Sequence, residues 1–426
     1  MASVLVIGSG GREHAISWAL SKSENVEKVF TAPGNAGTSF VGENVSIDAG
    51  NFSSVFHFVK SKGVDLVVVG PEKPLVEGIV DYLEERGVKV FGPCKAAARL
   101  EGSKEFAKRV MLDARVPTAS FKSFSSSQSG EARSYVEELG GRVVVKADGL
   151  AAGKGVIVCS SRQEALDAID RVAVKKEFGV AGETFLVEEL LEGVEASVLA
   201  LVDGKRVVPL APAQDHKRVF DNDEGPNTGG MGAYSPTPFV SRQALEEIRE
   251  EVLEPVVKTL SSQGITYKGV LYAGLMLTKK GPKVLEFNAR FGDPETQAIL
   301  PLLESDFFEL CNSVSQGSLR ASQASWKEGA ACCVVLSSKG YPGGYATGVE
   351  VRGLKEAESV NGVNVFHSGT ALENGKVVTS GGRVLGVTGS GESIGDAIAV
   401  AYSGVSRIHF EGMHYRKDIG LKALSY

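Results

Sequence analysis

The chain has 426 residues, of which 43% are hydrophobic and 23% charged, and its formal net charge is −6. This is the make-up of a folded chain with room for about two to four domains of ~100–200 residues each. It excludes a basic nucleic-acid footprint, because no Lys/Arg block occurs, and a helical membrane span, because no apolar run reaches ~18–20 residues.

Met1-Ala2-Ser3 runs straight into Val4-Leu5-Val6-Ile7 with no basic or long apolar leader, so no secretory signal is expected. Strand and helix patterns then alternate. Ser3–Ile7 is predicted as a buried strand, Arg12–Ser21 as a helix and Lys28–Thr31 as a short strand. Ser53–Lys62 is a helix, Asp65–Val69 an apolar strand, Leu75–Arg86 a helix and Lys89–Phe91 a strand. Such alternation predicts a doubly wound parallel sheet, with ligands beyond the C-terminal strand ends. Gly8-Ser9-Gly10-Gly11-Arg12-Glu13 follows the first strand but is a poor dinucleotide fingerprint. Its third glycine position holds Glu13, and the second strand ends at Thr31-Ala32-Pro33 without a ribose-binding acid. The helix start can still take another anion on free N–H groups, with Arg12 assisting.

Beyond Glu101 the pattern changes. A helix over Ser103–Ala114, with Ser103 as N-cap, leads to a serine-rich solvated turn, Ser123–Ser129, and a helix over Gly130–Leu139. Arg142–Lys146 and Gly155–Cys159 read as strands, Gln163–Arg171 as a helix and Thr184–Glu188 as a strand. Ala196–Val202 and Arg206–Leu210 read as a hairpin. A long helix, Ser241–Gln263, precedes strands Gly269–Leu277 and Lys283–Phe287. Gly317–Ser325 marks the boundary to a last domain, in which Ala330–Leu336 and Val384–Thr388 are strands. There Asn374-Gly375 signals a type I′ hairpin, Ser393–Ser406 a helix and Ile408–Phe410 a final short strand. The cysteines, Cys94, Cys159, Cys311, Cys332 and Cys333, lack zinc-ligand spacing and disulfide density, which fits buried thiols in a cytoplasmic protein.

Chemistry-bearing residues cluster between Glu101 and Glu295. Lys146-Ala-Asp-Gly-Leu-Ala-Ala-Gly-Lys-Gly-Val156 is not a P-loop: its glycine spacing is too short, no hydroxyl follows Lys154, and a strand rather than a helix comes next. It is either a plain glycine-rich hairpin or a flap whose backbone N–H groups cover phosphates. Lys146 ends an apolar strand, where a charge needs a partner. On a strand Glu286, Asn288 and Arg290 share a face, a set that suits a hard cation held jointly with phosphates. The acidic Glu188–Glu195 segment is equally an adenine- and ribose-binding turn or a surface loop. Asn227–Tyr234 is rich in glycine and lets backbone approach a small ligand, and His216 reads as a structural histidine.

Taken together, GSGGREHA, APGNAGT, LEGSK, VVVKADGLAAGKGV, VEELLEGVEAS, QDHKR, GPNTGGMGAYSP, VLEFNARFGDPETQ, VTSGGRVL and YRKDIG occur in an order that resembles the glycinamide ribonucleotide synthetase (phosphoribosylamine–glycine ligase) family of the ATP-grasp superfamily. The resemblance implies an α/β and α+β multidomain fold. Its parts would be an N-terminal doubly wound domain over 1–102, an ATP-grasp domain over 103–325 with a mobile lid subdomain at about 122–193, and a small α+β domain over 326–426. It implies ATP with Mg²⁺, or Mn²⁺ as an alternative, and glycine and 5-phosphoribosylamine as substrates. Lys104, Lys146, Gly153, Lys154 and Gly155 would contact phosphates, Glu188, Glu189 and Leu191 adenine, and Glu195 ribose. Glu286 and Asn288 would hold the metal. Arg290, Lys146 and Asp293 would act in catalysis. Gly10, Gly11, Arg12, Asp215, Lys217, Asn227, Thr228, Gly229, Gly230, Met231, Gly232, Arg290 and Asp293 would recognise the substrates. The strand Leu271–Leu277 lacks the further metal carboxylate of many ATP-grasp enzymes. No membrane or nucleic-acid partner is implied, and the chain would act as a monomer or as one part of a fused purine-pathway protein. The competing readings are another ATP-grasp ligase such as a bicarbonate-activating carboxylase, a nucleotide-binding regulator without turnover, and a Rossmann oxidoreductase.

Overall fold

The computed structural model describes residues 1–150, 155–320 and 323–425. The N-terminal sheet is wholly parallel, ordered Glu43–Asn44, Val26–Pro33, Ala2–Gly8, Leu66–Val69, Val90–Phe91. Its central strands are apolar throughout because both faces are covered. Leu5, Ile7, Val67 and Val69 pack into one core, and Val4, Val6, Leu66 and Val68 into another. The second core also holds Leu199, Leu201, Tyr272 and Phe307, so the parallel sheet shares its interior with the central sheet.

The central sheet is antiparallel, ordered Val207–Pro209, Val194–Asp203, Lys268–Thr278, Gly281–Asn288. A smaller antiparallel sheet stands opposite, ordered Phe121–Ser125, Thr184–Glu189, Val143–Ala147, Val156–Cys159. Helices Ser129–Glu138 and Arg162–Ile169 cover it around a core of Phe124, Val136, Val145, Ala165 and Phe185. The C-terminal sheet runs Gln214–Asp215, Gly232–Ser235, Ala330–Ser337, Arg383–Gly391, Val363–His367, with helix Ile394–Val405 across it. Two of its strands thus come from far upstream of Gly317–Ser325.

Several expectations need correction. The predicted helix over Leu75–Arg86 is two, Glu72–Glu77 and Ile79–Glu84, because Gly78 takes φ 101° and ends the first with a left-handed turn. Part of the serine run is strand. Ser123 pairs with Leu186 while Phe124 enters the core, so burial of one aromatic overrides the low strand propensity of serine. Ile408–Phe410 makes only a single bridge, His409 to Arg352. Helix Lys95–Gly102 was not anticipated. The hairpin at Asn374-Gly375 forms between Thr370–Glu373 and Lys376–Thr379, with φ 50° and 76° at the two turn residues. No helix among the described residues is long and apolar enough to cross a membrane.

Candidate active site

A cavity of about 370 Å³ lies where the central sheet, the small sheet, the parallel sheet and the C-terminal sheet converge. Its floor is built by the end of Gly281–Asn288. The register of this strand slips between Gly274 and Leu275 of its neighbour, because Leu275 pairs with Val284 and Gly274 with Glu286. Leu285 is the extra residue of this bulge, and its carbonyl is free to accept from Lys146 Nζ at 2.8 Å.

Lys146 finds the partner that its position demands. Glu188 Oε2 lies 3.0 Å from Lys146 Nζ and equally 3.0 Å from Lys108 Nζ, and all three side chains are buried. Lys108 was not singled out in the sequence. It also donates to Thr118 Oγ1 at 2.7 Å, and burial, opposed by Glu188, pulls its pKa down to about 8. Lys104 follows the Ser103 cap, as expected, and donates to Gly149 O at 2.9 Å, which ties it to the loop of the small sheet. Apolar Ala107, Met111, Leu285 and Phe287 line the cavity beside these lysines.

Glu286 is the cavity's least committed acid. Among the described residues its carboxylate makes no hydrogen bond or ion pair. Burial acts to raise its pKa, but Lys217, Lys146, Lys104 and Arg290 outweigh that and hold it below the usual carboxylate range. Asn288 also lines the cavity, its Oδ1 3.4 Å from Arg290 Nη2. An anionic oxygen without a partner, next to an amide oxygen, is a fitting donor pair for Mg²⁺, which takes one or two protein ligands and completes its shell from phosphates and water. The position opposite Glu286 is Gly274, so the neighbouring strand supplies no second acid. No group of three His, Cys, Asp or Glu side chains with metal-binding spacing occurs among the described residues.

Arg290 is clamped by Glu101 at 2.9 Å and Glu72 at 3.4 Å, and these acids raise its pKa further despite its burial. Asp293 accepts from Gln297 Nε2 at 2.9 Å and lies 3.3 Å from Arg383 Nη1; Arg383 and Arg12 overcome burial and lower its pKa. Asp215 is pushed up to about 7, mostly by burial, with Lys217 opposing and Glu295 adding. Lys217 pairs with Glu195 at 2.9 Å. Asn227, Thr228 and Gly229 line the cavity. Glu295 and Arg383, like Lys108, Glu72 and Glu101, line the cavity without having been assigned a role from the sequence. Glu295 accepts from Tyr272 at 2.7 Å and Ser197 at 3.2 Å, and Arg383 enters from the C-terminal sheet.

Other expected contacts are not brought to the cavity. Two N–H groups at the first helix start are already engaged: Gly10 N donates to Glu13 Oε2 at 2.6 Å and Arg12 N to Asp293 Oδ2 at 3.4 Å. Gly10 and Gly11 do not line the cavity, although Arg12 does. Met231 is fully buried in the C-terminal core, Gly232 begins a strand of that sheet, and Gly230 does not line the cavity. Glu189 points to the opposite face of its strand from Glu188, where it meets Lys283 at 2.9 Å. Leu191 and Glu195 lie outside the lining. Gly155 lines the cavity, and the calls on Gly153 and Lys154 fall outside the described residues.

A cavity between two antiparallel sheets, furnished with lysines and a free metal-type carboxylate, defines an enzyme of the ATP-grasp class. Three profiles match in order: "Phosphoribosylglycinamide synthetase, N domain" over residues 2–101, its "ATP-grasp (A) domain" over 102–296 and its "C domain" over 331–422. The chain belongs to the phosphoribosylglycinamide synthetase family. It is 51% identical to a phosphoribosylamine–glycine ligase of Caldanaerobacter subterraneus subsp. tengcongensis, over 98% of this chain and 99% of that one. It is also 51% identical to the human trifunctional purine biosynthetic protein adenosine-3, over 100% of this chain but 42% of the human protein's length. The crystal structure of phosphoribosylamine–glycine ligase from Thermotoga maritima superposes with a TM-score of 0.85 at 35% identity, covering 98% of this chain and 100% of that one.

Proposed function

We propose that this cavity activates glycine with ATP and joins it to 5-phosphoribosylamine, giving glycinamide ribonucleotide, ADP and phosphate, in the cytoplasm. One observation carries the reading. A chain of this family brings Lys104, Lys146, Glu286, Asn288 and Arg290 around one cavity. A glycine carboxylate oxygen attacks the γ-phosphorus of ATP, the bond to the β-phosphate oxygen breaks, and ADP leaves. The phosphoribosylamine nitrogen then attacks the acyl carbon, phosphate departs with the carboxylate oxygen, and the nitrogen loses a proton.

The chain's contribution is position and charge. Lys104 and Lys146 meet the phosphates, and the apolar wall of Ala107, Met111, Leu285 and Phe287 takes the adenine ring. Arg290, fixed by two carboxylates, offsets the charge that develops on the transferred phosphoryl group. Glu286 and Asn288 would hold Mg²⁺, which would supply charge stabilisation to the phosphates when bound. Asp215, Lys217, Asn227, Thr228, Gly229 and Asp293 face the two remaining substrates. Gly149, Leu150 and Gly155, which lie between Val143–Ala147 and Val156–Cys159, line the cavity and help to exclude water from the acyl phosphate.

ADP release tests this reading, with the amine generated from ribose 5-phosphate and ammonia. Release should require glycine and the amine together, and Glu286→Gln should slow it by roughly 10²–10³-fold. Release supported by bicarbonate in place of glycine would move the chain to a carboxylase reading.

A further inference from the structure

Among the described residues, Arg383 is the one charged cavity-lining side chain contributed by the segment after residue 326. It opens the strand Arg383–Gly391. Its backbone is fixed by a close crossing: a Cβ on Gly369 would lie 2.5 Å from Gly381 Cα, and Gly369 N donates to Arg383 O at 2.8 Å. Its side chain is fixed through one nitrogen. Nη1 donates to Gly229 O at 2.6 Å and to Asp293 O at 2.9 Å, and lies 3.3 Å from Asp293 Oδ1.

The other edge of the guanidinium is open. Nε and Nη2 have no hydrogen-bond partner among the described residues, and the side chain is 21% exposed into the cavity. These two nitrogens form the side-on fork that meets a carboxylate or phosphate with two parallel hydrogen bonds. The other two cavity guanidiniums lack that fork. Arg12 spends Nε on Glu13 and Nη1 on Phe291 O. Arg290 spends Nε on Glu72, Nη1 on Phe291 O and Nη2 on Glu101.

We propose that the Nε–Nη2 edge of Arg383 is an anchoring site for the oxyanion of a substrate other than ATP. This inference rests on the ligase reading, in which two such oxyanions exist: the carboxylate of glycine and the phosphate of phosphoribosylamine. The C-terminal sheet is thereby part of the substrate site, and Asp293 and Gly229 hold the fork in place.

The test uses the full chain and two variants. Arg383→Gln removes the charge and the fork, whereas Arg383→Lys keeps the charge and can still reach Gly229 O and Asp293 O. In both, the KM for one substrate should rise at least about tenfold, as for a lost charge-assisted pair, while the KM for ATP stays within about twofold. A rise for glycine identifies the carboxylate, and a rise for phosphoribosylamine identifies the phosphate. Calorimetric titration with glycine and with ribose 5-phosphate should show the same selective weakening without turnover. Unchanged affinity for both ligands, or an equal loss that includes ATP, would overturn the proposal. A wild-type chain that releases no ADP would remove the ligase reading instead, and the titrations would still decide the site. If Arg383→Gln does not fold, Arg383→Lys carries the comparison.

Discussion

Glu188 sits between two buried ammonium groups, and burial lowers the pKa of one of them, Lys108. Lys108 has a pKa of about 8 in the fold against 10.5 for an ordinary lysine. Between these values the unfolded chain holds a proton that the folded chain has released, so stability rises with pH across that window. Single-site linkage limits the slope to about 1.4 kcal/mol per pH unit. Urea unfolding at pH 8 and pH 10 should show this rise in the wild type, and Lys108→Met should flatten it. Parallel behaviour of the two proteins would mean that Lys108 titrates normally. Legibility at this scale followed local contrast. Lys146 was visible because a charge ended an apolar strand, and Glu286 because polar groups crowded one strand face. Lys108 was not, since a lysine in an amphipathic helix reads as a solvated residue. Arg383 was not, because its partners Asp293 and Gly229 are distant in sequence. The expectation of free N–H groups at the first helix start met a related obstacle: Asp293, far along the chain, accepts from Arg12 N, and Glu13 accepts from Gly10 N.

The hairpin of Arg218–Phe220 and Glu224–Asn227 carries Lys217 at its entry and Asn227 to Gly229 at its exit. Its turn is strained, because Asn222 and Asp223 both have positive φ, near 57° and 55°. The YRKDIG segment holds it. Arg416, with a fully buried side chain, meets Asp418 at 2.7 Å and Asp223 at 2.9 Å and donates to Arg218 O at 3.1 Å. Lys417 N donates to Asp221 Oδ1 at 2.7 Å, and Asp418 accepts from Asn222 N at 2.9 Å. Arg416→Ala should lower stability by about 2 kcal/mol. That is below the range for breaking a fully buried pair, because the acids left behind are partly exposed. A denaturant midpoint equal to wild type would show that the hairpin holds itself. The motif was legible as a unit, but its role was not, since it depends on a turn nearly 200 residues upstream. Elements were read best where hydrophobic period and capping agreed, as in the parallel sheet and the helices starting at Ser103 and Ser393. They were missed where tertiary burial decided, as in the strand Phe121–Ser125.

At the scale of the whole molecule, the sheets are joined more closely than their order in the chain suggests. The parallel and central sheets share one core, and the C-terminal sheet takes Gln214–Asp215 and Gly232–Ser235 from upstream. This interleaving puts Arg12, Glu286 and Arg383 around one cavity, where substrates bound to different sheets can meet. The doubly wound start was readable from periodicity, whereas the ATP-grasp domain was readable only through the family resemblance. The sharing of strands was not, because two- and four-residue strands leave no periodic pattern.

The central claim is that ATP activates the carboxylate of glycine. It is tested most directly by following heavy oxygen from glycine labelled in its carboxylate, with ATP and 5-phosphoribosylamine present. The account predicts one labelled oxygen in the inorganic phosphate for each glycinamide ribonucleotide formed, because the activated oxygen leaves with the phosphoryl group. Product formed with unlabelled phosphate would contradict it.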